Sequence, residues 1–219
     1  WVARGEISVV LGASGSGKTT LLRNLIGLLR PQEGAVLCFG DDISGMDENR
    51  LNSFRTRMGV LFQNGALLNS VSVFDNVRIP LEQHTDLPRP VMDAMVDTKL
   101  ALVELAGSGG ALPAELSGGM RKRAGLARAM ALDPELLLCD EPSSGLDPLT
   151  SAALDRLLVN LRDTLGITMI IISHDIASVR RIADRVFFLH EGRILFEGGV
   201  DEAESSDITE VADYFATSE

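Results

Sequence analysis

Apolar positions along this chain alternate between two rhythms, and the alternation predicts an architecture before any single residue is interpreted. Glu6 to Leu11 is a β-branched run closed by Gly12, and from Lys18 to Leu29 leucine and isoleucine return at helical spacing. That order reads as strand, glycine loop, helix. Ala35 to Phe39 and Met58 to Phe62 predict two further short strands, with a polar helix between them over about Asp47 to Arg57. From about Phe74 to Ala131 the rhythm is helical, with Pro80, Pro88, Pro90 and Pro113 as punctuation and a loop at Gly107 to Gly110. Strands resume at Leu136 to Asp140, Thr168 to Ser173 and Val186 to His190, separated by helices over about Pro148 to Leu165 and Ile176 to Ala183. Gly192 then marks a turn, and the acidic stretch from Asp201 leads into a last short helix near Thr209 to Phe215.

Near-continuous apolar strands separated by amphipathic helices imply an α/β fold, with a mostly parallel sheet covered on both faces. The 219 residues suit one domain. Residues 1–73 and 132–219 would form the α/β core, and about 74–131 an inserted helical subdomain. The formal charge of −11 supplies no global field for a nucleic acid, so none is expected as a partner. The one dense basic run, Arg121 to Arg123, reads as the solvated face of a helix. Cys38 and Cys139 each sit inside an apolar run, which argues against a disulfide framework or metal cluster and fits a reducing compartment. Cys139 reads as small core packing. No apolar run is long enough to cross a bilayer and no charged leader precedes an apolar signal region, so a soluble chain whose membrane role goes through a partner is expected.

Chemistry enters at the first loop. Gly12, Ala13, Ser14, Gly15, Ser16, Gly17, Lys18 and Thr19, followed by Thr20, match the phosphate-binding P-loop in full, between a predicted strand and a predicted helix. Glycines let successive N–H groups point at phosphate oxygens, with the positive end of the helix behind them. Lys18 would reach the β and γ phosphates of ATP, and the Thr19 hydroxyl would hold Mg²⁺. Far downstream, the apolar strand from Leu136 ends in Asp140 and Glu141, where a parallel sheet presents them beside the P-loop. Asp140 fits a carboxylate directed at Mg²⁺. Glu141 fits the group that orients or deprotonates the attacking water.

Leu116, Ser117, Gly118, Gly119 and Met120 resemble the signature of ABC ATPases, written Leu-Ser-Gly-Gly-Gln in most members; Met120 departs from that form. Serine as N-cap and glycines without side chains leave N–H groups open to an anion. The resemblance implies that Ser117 and Gly119 contact the γ-phosphate of ATP held by a second copy of the chain, in an ATP-sandwich homodimer. It further implies that Gln63 contacts Mg²⁺ and the attacking water, that Ser144, Gly145, Leu146 and Asp147 form the D-loop crossing the dimer interface, and that His174 steadies the water with Glu141. The aromatic that stacks on adenine in the family would lie upstream of the first strand, where this chain has almost nothing; the N-terminal strands of the usual domain are expected to be missing, and either the sequence is truncated there or adenine is held weakly. Trp1 reads as part of the approach to the first strand.

A narrower likeness rests on Phe62 to Ser70, continuing Val71 to Val77 and reaching Pro80, Leu81 and His84, which is similar to the ATPases of MCE-linked lipid transporters, including the maintenance-of-lipid-asymmetry system. It implies an integral membrane permease, an MCE-domain lipid-binding protein and a small accessory subunit as partners, at the cytoplasmic face of the inner membrane. The apolar loop at Ala66, Leu67, Leu68 and Val71 would suit docking onto a permease. The alternatives are an ABC ATPase serving another importer or exporter, of amino acids or lipoproteins, a non-transport ABC ATPase, and a P-loop nucleotide kinase.

Overall fold

The computed structural model describes residues 1–216, in which β1 (Ile7–Leu11) runs through a glycine loop into α1 (Lys18–Leu25). A hairpin of β2 (Leu37–Cys38) and β3 (Asp41–Asp42) follows, then α2 (Glu48–Arg55) and β4 (Met58–Leu61). Helices α3 (Val73–His84), α4 (Arg89–Leu102) and α5 (Gly118–Ala129) come before the chain returns to strand at β5 (Leu136–Asp140). The remainder alternates: α6 (Pro148–Leu165), β6 (Thr168–Ile172), α7 (Ile176–Ile182), β7 (Arg185–His190), β8 (Arg193–Gly198), then α8 (Val200–Glu204) and α9 (Thr209–Ala216).

The main sheet has the order β4-β5-β6-β1-β7-β8, parallel throughout except for the β7–β8 hairpin. Its strands are apolar on both faces because each face carries a core of its own. Ile7, Val9, Leu11, Leu137, Cys139, Met169 and Ile171 face one layer, packed on Val77 and Leu81 of α3, Leu126 of α5 and Leu158 of α6. Val10, Leu136, Leu138, Ile170 and Ile172 face the other, against Leu22 of α1 and Leu51 and Phe54 of α2. The period-two division follows from the pleat, and each large side chain so buried stabilises the fold by about 1.5–3 kcal/mol.

Two expectations are revised. The strand predicted over Ala35 to Phe39 shrinks to Leu37–Cys38 and pairs only with β3, turning at Phe39 and Gly40, which both have positive φ. Pro80 does not punctuate; it lies inside α3. Val73, Val77 and Leu81 of that helix are fully buried, and their burial offsets the roughly 3 kcal/mol that an interior proline costs. Trp1 lies outside any strand, 80% exposed, with the Arg185 guanidinium 4.9 Å above its ring.

What matters for function is which strand ends meet. β4, β5, β6 and β1 are neighbours and parallel, so the segments that leave their carboxyl ends gather along one edge of the sheet. Ligands of open α/β sheets bind at such an edge.

Candidate active site

Gly12 closes β1, and the chain there runs against the end of β7. A Cβ built on Gly12 would stand 2.1 Å from the Leu189 carbonyl oxygen, and its φ of 148° belongs to glycine, so no other residue fits the start of this loop. The loop enters α1 through Gly17, which offers no side-chain cap, and the first turn carries no acidic residue. Helices α2, α3, α5, α6 and α7 all have a capping side chain at this position. The first-turn N–H groups of α1 are thus left for an anion, with the helix dipole behind them. Lys18 folds back on the loop, its Nζ donating to the carbonyl oxygens of Gly12 (2.6 Å) and Ala13 (2.9 Å). Burial holds its pKa below the ordinary lysine range, against the pull of Glu141 and Asp140.

Around this loop lies an open cleft of about 620 Å³, lined by Gly12 to Gly15, Gly17, Lys18, Thr19, Thr20, Gln63, Asp140, Glu141, Ile172, His174 and Tyr214. Four separated stretches of sequence therefore converge from the ends of four adjacent strands, and Tyr214 of α9 joins them. Burial and the neighbouring Glu141 charge raise the pKa of Asp140. Glu141 sits at φ 49°, a left-handed conformation for a side-chain-bearing residue, with its N–H bonded to the Ile172 carbonyl of β6 at 2.9 Å. His174 Nδ1 is 2.7 Å from Glu141 Oε2, close enough for an ion pair, while this buried oxygen accepts no hydrogen bond among the described residues. Gln63 donates through Nε2 to Ser144 Oγ at 3.2 Å, which joins it to the segment from Ser144 to Asp147.

These residues fit a magnesium nucleotide. Two adjacent carboxylates lie near the charges of the half-buried Lys18 and the buried Lys122, an orphaned carboxylate oxygen looks for a donor, and uncapped amides await an anion. The oxygen donors of Thr19, Gln63 and Asp140 suit a hard cation that keeps phosphate and water in its shell. Among the described residues no group of three or more His, Cys, Asp and Glu side chains is placed to hold a metal ion.

The signature segment is elsewhere. Ser117 caps α5, accepting from the Met120 N–H at 3.2 Å, and Gly119 packs against the Thr150 side chain. Leu116 is buried, Ser117 is exposed, Gly118 faces Leu146, and none of Leu116 to Met120 lines the P-loop cleft. Gly145 is exposed, and Asp147 caps α6 by accepting from Leu149 and Thr150 N–H groups.

One reading needs correction. The run Arg121 to Arg123 is not a solvated face: Lys122 is only 6% exposed, donating to the main-chain carbonyls of Gln63 and Glu141, while Arg121 donates to Leu116 O and Arg123 pairs with Glu104. Helical period carried the signal, since Gly119, Lys122 and Leu126 fall on one buried stripe. Two other residues escaped sequence reasoning. Asn76 is fully buried and holds the loop after Gln63 through bonds to Leu68 N and O. Tyr214 of α9 packs edge-on to Phe188, at 5.2 Å between ring centroids, and reaches the cleft. Cys139 is fully buried as expected, its thiol pushed up to about 12, chiefly by burial.

Residues 1–144 match the ABC transporter family profile. Over 205 residues the chain is 44% identical to the intermembrane phospholipid transport system ATP-binding protein MlaF of Escherichia coli (strain K12), covering 94% of this chain and 76% of that protein. It is 44% identical over 197 residues to the "probable ribonucleotide transport ATP-binding protein mkl" of Mycobacterium tuberculosis (strain ATCC 25618 / H37Rv), covering 90% of this chain and 55% of that one. Among solved structures it resembles the dimeric, post-hydrolysis state of the ATP-binding cassette MJ0796 bound to ADP and Pi. The TM-score is 0.83 at 29% identity, over 91% of this chain and 88% of that one.

Proposed function

Because the chain belongs to the ABC transporter family, as one of its ATP-hydrolysing subunits, we propose that it powers a membrane permease that moves phospholipid or a related lipid between membranes. The observation that carries the lipid assignment is the likeness to MlaF over three quarters of that protein's length. The exposed Phe62 and Leu68 flanking Gln63 support it, as an apolar surface suited to docking. Relatives named for ribonucleotide transport are equally identical, though matched over barely half their length, which makes that substrate the second reading.

Bound Mg²⁺-ATP supplies the phosphoanhydride to be cleaved and the cation that offsets its charge. Lys18 exchanges the carbonyls of Gly12 and Ala13 for phosphate oxygens, and the α1 amides complete the grip. Thr19, Asp140 and Gln63 hold the metal, Glu141 takes the proton of the attacking water, and His174 beside it keeps that carboxylate oriented. Since Ser117 to Gly119 lie away from the cleft, a second copy must bring them to the γ-phosphate, and the working unit is a homodimer on the cytoplasmic face of the permease. No helix among the described residues is long and apolar enough to cross a membrane. An affinity-tagged chain isolated from its own membranes is expected to bring down a permease and an MCE-domain protein, with a small accessory subunit. Isolation with a permease and no MCE-domain protein would overturn the lipid assignment.

A further inference from the structure

We propose that Lys122 is a positioning residue for hydrolysis: its ammonium ties the main chain at Gln63 to the main chain at Glu141 and so sets the two side chains that face the attacking water. The inference rests on the roles assigned above to Gln63 and Glu141.

The β4–β5 ladder runs from Met58 opposite Leu136 to Leu61 opposite Cys139, and goes no further. Two residues beyond that last rung, on either strand, stand Gln63 and Glu141. The Lys122 Nζ donates to both of their carbonyl oxygens, at 3.0 Å to Glu141, and replaces the missing rung with a side chain. Without it neither carbonyl would have a ladder partner, and Glu141 would keep only the turn bond from the Ser144 N–H at 3.2 Å.

Glu141 depends on this support more than an ordinary strand-end residue would. Its φ of 49° is a strained conformation for a glutamate, and such strain persists only where the surroundings over-determine it. The main chain of this residue is held on both sides: its N–H by Ile172 O on β6, its C=O by Lys122 on α5 and by the Ser144 N–H at 3.2 Å. Between those anchors the side chain has one direction, toward the cleft and His174. With Lys122 gone, only the 3.2 Å turn bond from Ser144 restrains that carbonyl, and the strand end can relax to a commoner φ and swing the carboxylate.

The close approach that lets Lys122 reach is built into the helix. A Cβ on Gly125, three residues further along α5, would meet Gly65 Cα at 2.9 Å, so only glycine lets α5 lie this close to the segment after Gln63. Lys122 is 6% exposed and does not line the cleft, which excludes both a solvated role and direct phosphate binding. Its action on the reaction is therefore through main chain alone, and it stands on the helix that Ser117 begins.

The test uses the full chain and compares Lys122→Met, which removes the donor, with Lys122→Arg, which keeps donors, measuring kcat and KM for ATP and nucleotide-binding stoichiometry. For Lys122→Met, kcat is expected to fall about tenfold or more through misplacement of Glu141 and Gln63, while KM stays within about threefold because phosphate binding is untouched. Arginine is expected to recover most of kcat. If the methionine variant does not fold, Lys122→Gln, whose amide still donates, serves in its place and is expected to lose less. A kcat within about twofold of the parent chain, or a loss matched by an equal loss of binding stoichiometry, would overturn the proposal. Glu141→Gln run alongside separates the two assignments: its inactivity with a normal Lys122→Met sinks only the lysine proposal, whereas its full activity sinks the base assignment and this inference with it.

Discussion

Gly12 and Lys122 mark the two ends of what a single residue can reveal. Gly12 is demanded twice, by its φ of 148° and by the Leu189 carbonyl where a Cβ would sit. Gly12→Ala is expected to destabilise the fold by about 1–3 kcal/mol from backbone strain alone, with further loss from the clash. Thermal unfolding with and without ATP checks this: a midpoint like that of the parent chain would show that the loop start has room. The glycine was legible in the sequence because a P-loop is a local device, contiguous from Gly12 to Thr19, whose spacing is its mechanism. Lys122 was misread because charge between two arginines suggests solvent. What turned it inward is the edge between β4 and β5, where two carbonyls lack ladder partners. Asn76 and Tyr214 were silent for the same reason, since their partners lie in other elements.

Among the elements, the helix starts divide by task. Ser72 caps α3 by accepting from the Asp75 N–H at 3.0 Å and donates to the Asp75 carboxylate at 2.6 Å, while Asp47 and Asp175 cap α2 and α7. These are structural ends. Ser72→Ala is expected to cost about 1 kcal/mol of stability, read by denaturant unfolding, and to leave the ATPase rate of the folded protein unchanged. α1, like α4 and α8, starts without a capping side chain, and at Gly17 beside the P-loop its free amides are open to phosphate. Ser117 serves both tasks, its oxygen accepting from Met120 while its hydrogen remains to be donated outward. Element existence was readable from rhythm almost throughout. The hairpin at Leu37–Cys38 and Asp41–Asp42 and the continuation of α3 through Pro80 were not, since pairing decided the first and burial of Val73, Val77 and Leu81 the second.

At the scale of the molecule, one chain holds half of each proposed site. The P-loop, Gln63, Asp140, Glu141 and His174 share a cleft, and Ser117 to Gly119 do not reach it. Two inactive variants should therefore repair each other. A mixture of Lys18→Ala and Ser117→Ala chains is expected to hydrolyse ATP faster than either alone, because the mixed dimer contains one intact P-loop facing one intact signature segment. Rates that merely average those of the two variants would show that each cleft works within its own chain.

The sequence by itself determined the α/β class, the residues of the P-loop, the carboxylate pair and the capped start of α5, since each is written in consecutive residues whose backbone chemistry is local. Only the tertiary structure decided that Gln63, Glu141, His174 and Lys18 are neighbours. Strand order is the reason: the chain makes β1 first and β4, β5 and β6 fourth to sixth, yet the sheet order β4-β5-β6-β1 sets β1 directly beside β6. Packing of two apolar faces against separate helix layers selects that order, and a sequence read along one dimension carries no distance between strand ends.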